Sequence, residues 1–232
     1  MARQSRVVIP DCAHHVTQRG NNGREVFHSD TDRAIYLKTI RRFCERHEVA
    51  VVGYCLMNNH VHLVLIPPRE NSLAKAIGQA HCDYTRWYNV AWQRGGHLWQ
   101  NRFFSCPMDE GHMAAALRYV ECNPVRAGLQ KAAWDWPWSS ARAHISGRDD
   151  TGLLAMDFWR QRRDERRWQT VLDRGFGVAE IEERIREATR TGRSFGPDSF
   201  VTELEAKTGR RLRPGKPGPK PRVKAVSAVW AA

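Results

Sequence analysis

Two histidines one residue apart, His60-Val61-His62, stand in the run HVHLVLI at 60–66. In a strand, residues i and i+2 point to one face, about 6.5–7 Å apart along the chain, so both imidazoles can reach one divalent cation. The spacing alone is weak evidence, since ten histidines in 232 residues supply roughly 0.4 such pairs by chance. The setting strengthens it. Leu56, Met57, Leu63, Val64 and Leu65 surround the pair, and two buried imidazoles need partners, of which a metal is one. His14 and His15 form a second pair, but neighbours in a strand face opposite sides and cannot chelate together.

A second constellation lies in YVECNPVRAG at 119–128. Tyr119 and Asn123 are four residues apart, which puts a phenol and a carboxamide on one helical face, one turn from each other. A phenol and a carboxamide side by side are a candidate functional pair. The plainer alternative is a half-buried core tyrosine followed by an asparagine that caps the helix end.

The elements that must position these groups follow from the pattern. Residues 14–19 form a β-prone run, followed by the loop GNNGR at 20–24. Ser29-Asp30 offers an N-cap for a helix reaching about His47, with Ile35, Leu37, Ile40 and Phe43 near helical spacing. Residues 49–57 and 60–66 read as two strands joined at Asn58-Asn59, hence a hairpin. A helix runs from Leu73 to about Trp92, and HLWQNRFFSC at 97–106 reads as strand or extended loop. A third helix starts near Asp109 and stops around Asn123, because Pro124 disfavours helix at the residue before it. The order predicts an α+β domain over 1–146, a ferredoxin-like antiparallel sheet with helices on one face. WDWPWSSARAH at 134–144 closes it with packing tryptophans. A charged helical region follows over 147–208, with a short helix around 198–208. Proline, glycine and cations dominate 209–232, which predicts a disordered basic tail.

Composition narrows the classes. The chain is 41% hydrophobic and 27% charged, as expected of a globular protein. Its formal charge is +12, and eight basic residues with no acidic one fall within 207–232. The remaining 206 residues hold 29 basic and 25 acidic side chains, a net +4. A basic body with a more basic end points to a polyanion, nucleic acid before membrane. No run approaches ~18 apolar residues, which excludes a membrane-spanning helix, and the first residues lack the apolar stretch of a secretory leader. The six cysteines contain no C-x-x-C, and isolated thiols fit a reducing cytoplasm.

HHVTQRGNN (14–22), YCLMNNHVHLVL (54–65), HLWQNRFFSC (97–106), RYVECNPVRAG (118–128) and WPWSSARAH (136–144) together resemble, in order and spacing, the REP-associated tyrosine transposases. These are bacterial relatives of the single-tyrosine HUH transposases of small insertion sequences. The resemblance covers roughly residues 6–146. It implies that His60 and His62 bind a divalent ion, Mg²⁺ or Mn²⁺, that Asn123 is a third ligand, and that Tyr119 is the nucleophile. It further implies single-stranded or hairpin DNA, of REP-like palindromes, as partner, with a covalent 5′-phosphotyrosine intermediate. Arg19, Asn21 and Asn22 lie in the loop that the resemblance assigns to reading a tetranucleotide beside the hairpin. The sequence departs from the family pattern at Asn58, Asn101 and Phe104, where proline, glycine and lysine are common.

Further candidates are less specific. Arg86, beside Tyr84, Trp87 and Tyr88, could stack or pair with DNA; Tyr84 and Tyr88 themselves repeat the four-residue spacing of two-tyrosine HUH enzymes, or simply pack. Arg102, Arg118 and Arg126 are phosphate contacts or solvated surface charges. Arg210, Arg211 and Arg213 in the tail resemble a minor-groove arm, or serve only solubility. Two other functions compete with strand transfer: a catalytically idle DNA- or RNA-binding protein on the same fold, and a hydrolytic phosphoesterase that would not need Tyr119. A monomer and a homodimer are equally compatible with the sequence.

Overall fold

The computed structural model describes residues 6–162, 165–174 and 179–213. Four antiparallel strands, β1 (Ala13–Arg19), β2 (Ala50–Met57), β3 (His60–Ile66) and β4 (Phe104–Met108), form one sheet in the order β2-β3-β1-β4. That is the ferredoxin-like order expected from the sequence. The β2–β3 hairpin turns at Asn58-Asn59 and pairs Met57 with His60. Helix α1 (Asp30–Arg46) begins at Ser29, whose hydroxyl accepts from the Asp32 N–H while the Asp32 carboxylate accepts from the Ser29 N–H, a capping box.

Val16, Tyr54, Leu56, Val61, Leu63 and Leu65 project to one face of the sheet, where they pack against α1 and α2 (Ser72–Ala91) through Tyr36, Ile40, Leu73, Ile77 and Tyr84. The expectation of helices on one face describes these two crossovers. The opposite face is covered as well, because strands this apolar on both sides would otherwise leave Val52, Cys55, Val64 and Cys106 in water. Helix α3 (Glu110–Glu121) lies across it with Met113, Ala116, Leu117 and Val120. Behind it follow α4 (Asn123–Arg126), α5 (Ala141–Ser146), α6 (Met156–Arg160), α7 (Glu165–Asp173) and α8 (Ala179–Thr191), which add Ala141, Trp159, Trp168, Leu172 and Ile185 to the same core.

Several boundaries differ from the sequence expectation for local reasons. The aromatic run at 97–106 is strand only from Phe104; residues 97–103 form a loop tied to the end of β1 by Gln100 N–H to Arg19 O and to the turn after it by Asn21 N–H to Leu98 O. β4 contains Pro107 and is an edge strand, where the missing N–H costs no sheet bond. Helix α3 ends at Glu121 and the chain re-enters a helix at Asn123, with Pro124 in its first turn, where its ring suits the backbone. Finally, residues 209–213 are packed, although the sequence assigned them to a disordered tail. Leu212 joins Val7, Ile9, Val201 and Leu204 of α9 (Asp198–Thr208), and the Glu205 carboxylate accepts from the Leu212 and Arg213 N–H groups at 2.7 and 3.0 Å. The rest of the expected tail lies outside the described residues. Among the described residues, no helix is long and apolar enough to cross a membrane.

Candidate active site

β3 delivers His60 and His62 to the face beneath α3, their ring centres 5.0 Å apart and nearly perpendicular. The Tyr119 ring meets His62 edge-on at 5.7 Å. The tyrosine is 7% exposed. α3 can lie this close because β2 carries Gly53, where an added Cβ would stand 2.4 Å from Leu117 Cδ2 and 3.1 Å from Ser140 Oγ. α3 is held at its other side by Glu121, fully buried, whose carboxylate accepts from Ser140 Oγ (2.5 Å) and Trp168 Nε1 (2.8 Å) and pairs with His144 Nδ1 (2.6 Å).

The histidines are neutral bases. Burial pushes His60 down to about 4, helped by the nearby Arg19 and Arg126 cations. Burial also pushes His62 well below the usual range, with His60, His15, Arg126 and Arg186 acting in the same direction. His60 Nδ1 lies 2.7 Å from Asn59 Oδ1, which only accepts, so a neutral His60 has its proton on Nδ1 and its lone pair on Nε2. His62 Nδ1 is likewise engaged, 2.9 Å from His15 Nε2. Two neutral imidazoles with their Nδ1 atoms occupied and their Nε2 atoms without a described partner suit a divalent cation. Among the described residues, no group of three His, Cys, Asp or Glu side chains could hold a metal, so further ligands would be an amide or water. Asn123 is buried, and its Nδ2 has no hydrogen-bond partner among the described residues.

The arginines named from the sequence separate into distinct places. Arg126 lies over the Tyr119 ring, 4.1 Å from its centre, and 3.6 Å from Glu182 of α8. Arg118 lines a pocket of about 450 Å³ with Arg162, Arg167 and Trp168. Arg86 and Arg102 line a groove of about 830 Å³ between α2 and the 97–103 loop, together with Arg6 and His97. Asn21 and Asn22 form a single 3-10 turn after Arg19, with Asn22 in the left-handed region at φ 53°. Arg210 donates to Arg6 O at 3.1 Å, and Arg213 pairs with Glu205, so both are tied to the body of the chain; Arg211 is exposed. Tyr84 and Tyr88 sit in the core on the α1–α2 side, where Tyr84 donates to Val26 O at 2.8 Å and the Tyr88 hydroxyl lies 2.8 Å from His28 Nε2.

Three contacts have no counterpart in the sequence expectation. His15 of β1 reaches His62 diagonally across the sheet, His15 standing opposite Val64 and Thr17 opposite His62. Thr189 of α8 lies 2.7 Å from His15 Nδ1. Arg186, one turn earlier, brings its guanidinium carbon to 5.8 Å from the Tyr119 ring centre. Only Thr189 had a signal, since it extends the Ile181–Ile185 stripe by a further four residues.

A ferredoxin-like sheet with a tyrosine helix across one face is the fold of a single-tyrosine transposase. The chain belongs to the IS200-like transposase family, whose model matches residues 8–123, half of its length. A putative REP-associated tyrosine transposase of Haemophilus influenzae is 29% identical over 119 residues, spanning 47% of this chain and 65% of the relative. The chain thus matches a little under two thirds of that relative's length. A solved REP-associated tyrosine transposase bound to a REP hairpin superposes with TM-score 0.52 at 18% identity, covering 68% of this chain and 90% of that one. A putative transposase from Deinococcus radiodurans R1 gives a TM-score of 0.38 at 16% identity over 52% of this chain and 96% of its own.

Proposed function

We propose that this protein is a metal-dependent endonuclease and strand transferase that cuts single-stranded DNA beside a hairpin, with Tyr119 as nucleophile. The observation that carries the reading is the packing of one phenol against the His60–His62 face with Arg126 over its ring. A purely structural tyrosine would not need two neutral imidazoles and a cation beside it. The solved relative in complex with a REP hairpin supports hairpin DNA as the substrate class.

His60 and His62 would hold Mg²⁺ or Mn²⁺ through their Nε2 atoms, with the Asn123 carboxamide as third ligand. A bound divalent ion supplies charge neutralisation at a scissile phosphate. The Tyr119 oxygen attacks phosphorus, the bond from phosphorus to the departing 3′ oxygen breaks, and the tyrosine proton is lost as that oxygen gains one. The products are a 5′-phosphotyrosine and a free 3′-hydroxyl. Reversal onto a second 3′-hydroxyl transfers the strand without ATP. Arg126 places positive charge beside the nucleophile, offsetting the repulsion between an anionic oxygen and a phosphodiester. The groove holding Arg86, Arg102 and His97 offers cations and donors to a single strand.

The test is covalent capture. With Mn²⁺ and a hairpin oligonucleotide from palindromes flanking the gene, the protein forms an adduct that survives denaturing electrophoresis, and Tyr119→Phe abolishes it while still binding DNA. An adduct that persists in Tyr119→Phe and vanishes in Tyr88→Phe would assign the nucleophile elsewhere. Binding without any adduct at all would leave an idle DNA-binding protein.

A further inference from the structure

The family match ends at residue 123, yet α8, more than fifty residues later, touches the site at two successive turns. We infer that Thr189 of α8 is a positioning residue that acts through His15 to lock His62 in the tautomer able to bind a divalent cation. The inference rests on the metal reading of His60 and His62 given above.

The argument is one of hydrogen-bond polarity. Thr189 Oγ1 lies 2.8 Å from Ile185 O, 2.7 Å from His15 Nδ1 and 3.3 Å from Cys106 Sγ. A carbonyl oxygen can only accept, and a threonine hydroxyl has one proton. That proton therefore goes to Ile185 O; any other assignment leaves two lone-pair oxygens 2.8 Å apart with no proton between them. Thr189 must then accept from His15 Nδ1–H and from the Cys106 thiol, which uses its two lone pairs. His15 is 1% exposed and its ring nitrogens face the Thr189 hydroxyl and His62 rather than a carboxylate, so it is neutral and a proton on Nδ1 leaves its Nε2 as acceptor. The 2.9 Å contact to His62 can only be filled by His62 Nδ1–H. His62 Nε2 is thereby the lone pair, the form a metal requires. Every link is buried: His15 is 1%, His62 6% and Thr189 2% exposed. Water cannot readily substitute for a missing partner there. The chain of four groups thus runs from a helix carbonyl to the metal-binding nitrogen with its direction fixed at the far end.

Without the hydroxyl the polarity is undetermined. In Thr189→Val the shape is kept and the acceptor is lost, so His15 can move its proton to Nε2 and force His62 into the opposite tautomer, with Nε2 protonated.

The experiment uses the full chain, labelled with ¹⁵N-histidine, together with Mn²⁺ titration by calorimetry. In the metal-free wild type, the nitrogen shifts place the His62 proton on Nδ1, and the same holds for Thr189→Ser. In Thr189→Val and Thr189→Ala the two His62 tautomers mix, and Mn²⁺ affinity falls about ten- to hundredfold, the usual cost of losing an outer-shell partner. A His62 proton on Nε2 in the wild type, or unchanged tautomer and affinity in both hydroxyl-deleting variants, overturns the relay. Wild-type affinity that is absent, or unaffected by His60→Ala and His62→Ala, overturns instead the metal reading beneath it. The spectra distinguish the two failures because they need no metal.

Discussion

The Arg126 guanidinium carbon stands 4.1 Å from the centre of the Tyr119 ring, and both its terminal nitrogens donate to the Tyr119 carbonyl at 3.4 Å. The two residues are seven apart, across the break between α3 and α4, so the break itself brings the cation back over the phenol. A cation on an aromatic face is worth about 0.5–2 kcal/mol, or roughly two- to thirtyfold in rate if it acts only in the transition state. Arg126→Gln should slow adduct formation by that factor under single-turnover conditions, and Arg126→Lys by less. Equal rates in all three proteins would reduce Arg126 to a packing residue.

Glu121 and His144, both 0% exposed, form the support beneath the tyrosine helix. Removing one partner of a buried hydrogen-bonded pair costs about 1–3 kcal/mol, because the other polar group is left unsatisfied. His144→Ala and Glu121→Ala should each lower the unfolding free energy read from denaturant melts by an amount in that range. Their DNA adduct should weaken in parallel with the loss of folded protein. A His144→Ala variant as stable as the wild type would show that Ser140 and Trp168 alone satisfy Glu121.

The legible part of this site lay where chemistry and local period coincide. His60 and His62 show in the sequence because a strand puts i and i+2 on one face, and Tyr119 and Asn123 because a helix stacks i and i+4. The hairpin, the Ser29 cap and the 198–208 helix were readable for the same reason: each is a local pattern with its own terminators. His15 was visible only as half of a pair unable to chelate, since its meeting with His62 depends on the β1–β3 register. Arg186 and Thr189 lay within a charged helical stretch and reach the site only through tertiary packing. The second helical layer was hidden for a related reason. A two-sided apolar strand shows that both faces are covered, not which later segment covers them.

Gly53 sets how closely the helix that carries Tyr119 approaches the sheet. A methyl there would stand 2.4 Å from Leu117 Cδ2, two residues before Tyr119. Gly53→Ala should destabilise the fold by about 1–3 kcal/mol, the common cost of overpacking. It should also cut adduct formation more than the unfolded fraction explains, because α3 must lift. Leu117→Ala in the same chain should return part of the activity by making room. A double variant no better than Gly53→Ala would place the constraint at Ser140 instead.

Two histidines far from Tyr119 set an acid limit on stability. Burial lowers His14 to about 4 and His81 to about 3. His14 accepts from the Ile9 N–H at 3.2 Å while its other nitrogen lies 2.8 Å from Cys12 O, so protonation would cost the Ile9 bond. The unfolded chain binds these protons near pH 6.5 and the fold does not, so unfolding takes up protons below that value and stability falls with pH. The loss should begin near pH 6.5 and level off only below about 4 for His14, at up to about 1.4 kcal/mol per pH unit for each group. Urea melts from pH 7 to 4 would measure the slope, and His14→Gln should flatten it. A slope unchanged by that substitution would exclude His14 as a contributor.

The cations of residues 214–232 can be tested by truncation, provided the cut respects Arg213. Leu212 and Arg213 close the packing around α9 through Glu205, so a deletion from 209 would remove core as well as charge. Deleting 214–232 takes away Lys216, Lys220, Arg222 and Lys224 and leaves Glu205, Leu212 and Arg213 in place. If all four meet phosphates of a single strand, the slope of log affinity against log salt should become shallower by up to about 2.8, at about 0.7 per contact. Preference for a cognate hairpin over a scrambled one should survive, because phosphate contacts carry no base information. Titrations of both proteins at several salt concentrations measure the two quantities separately. A truncated protein that keeps its salt slope but loses discrimination would show that the segment reads bases, and that specificity does not reside in the loops around Arg19 and Asn22.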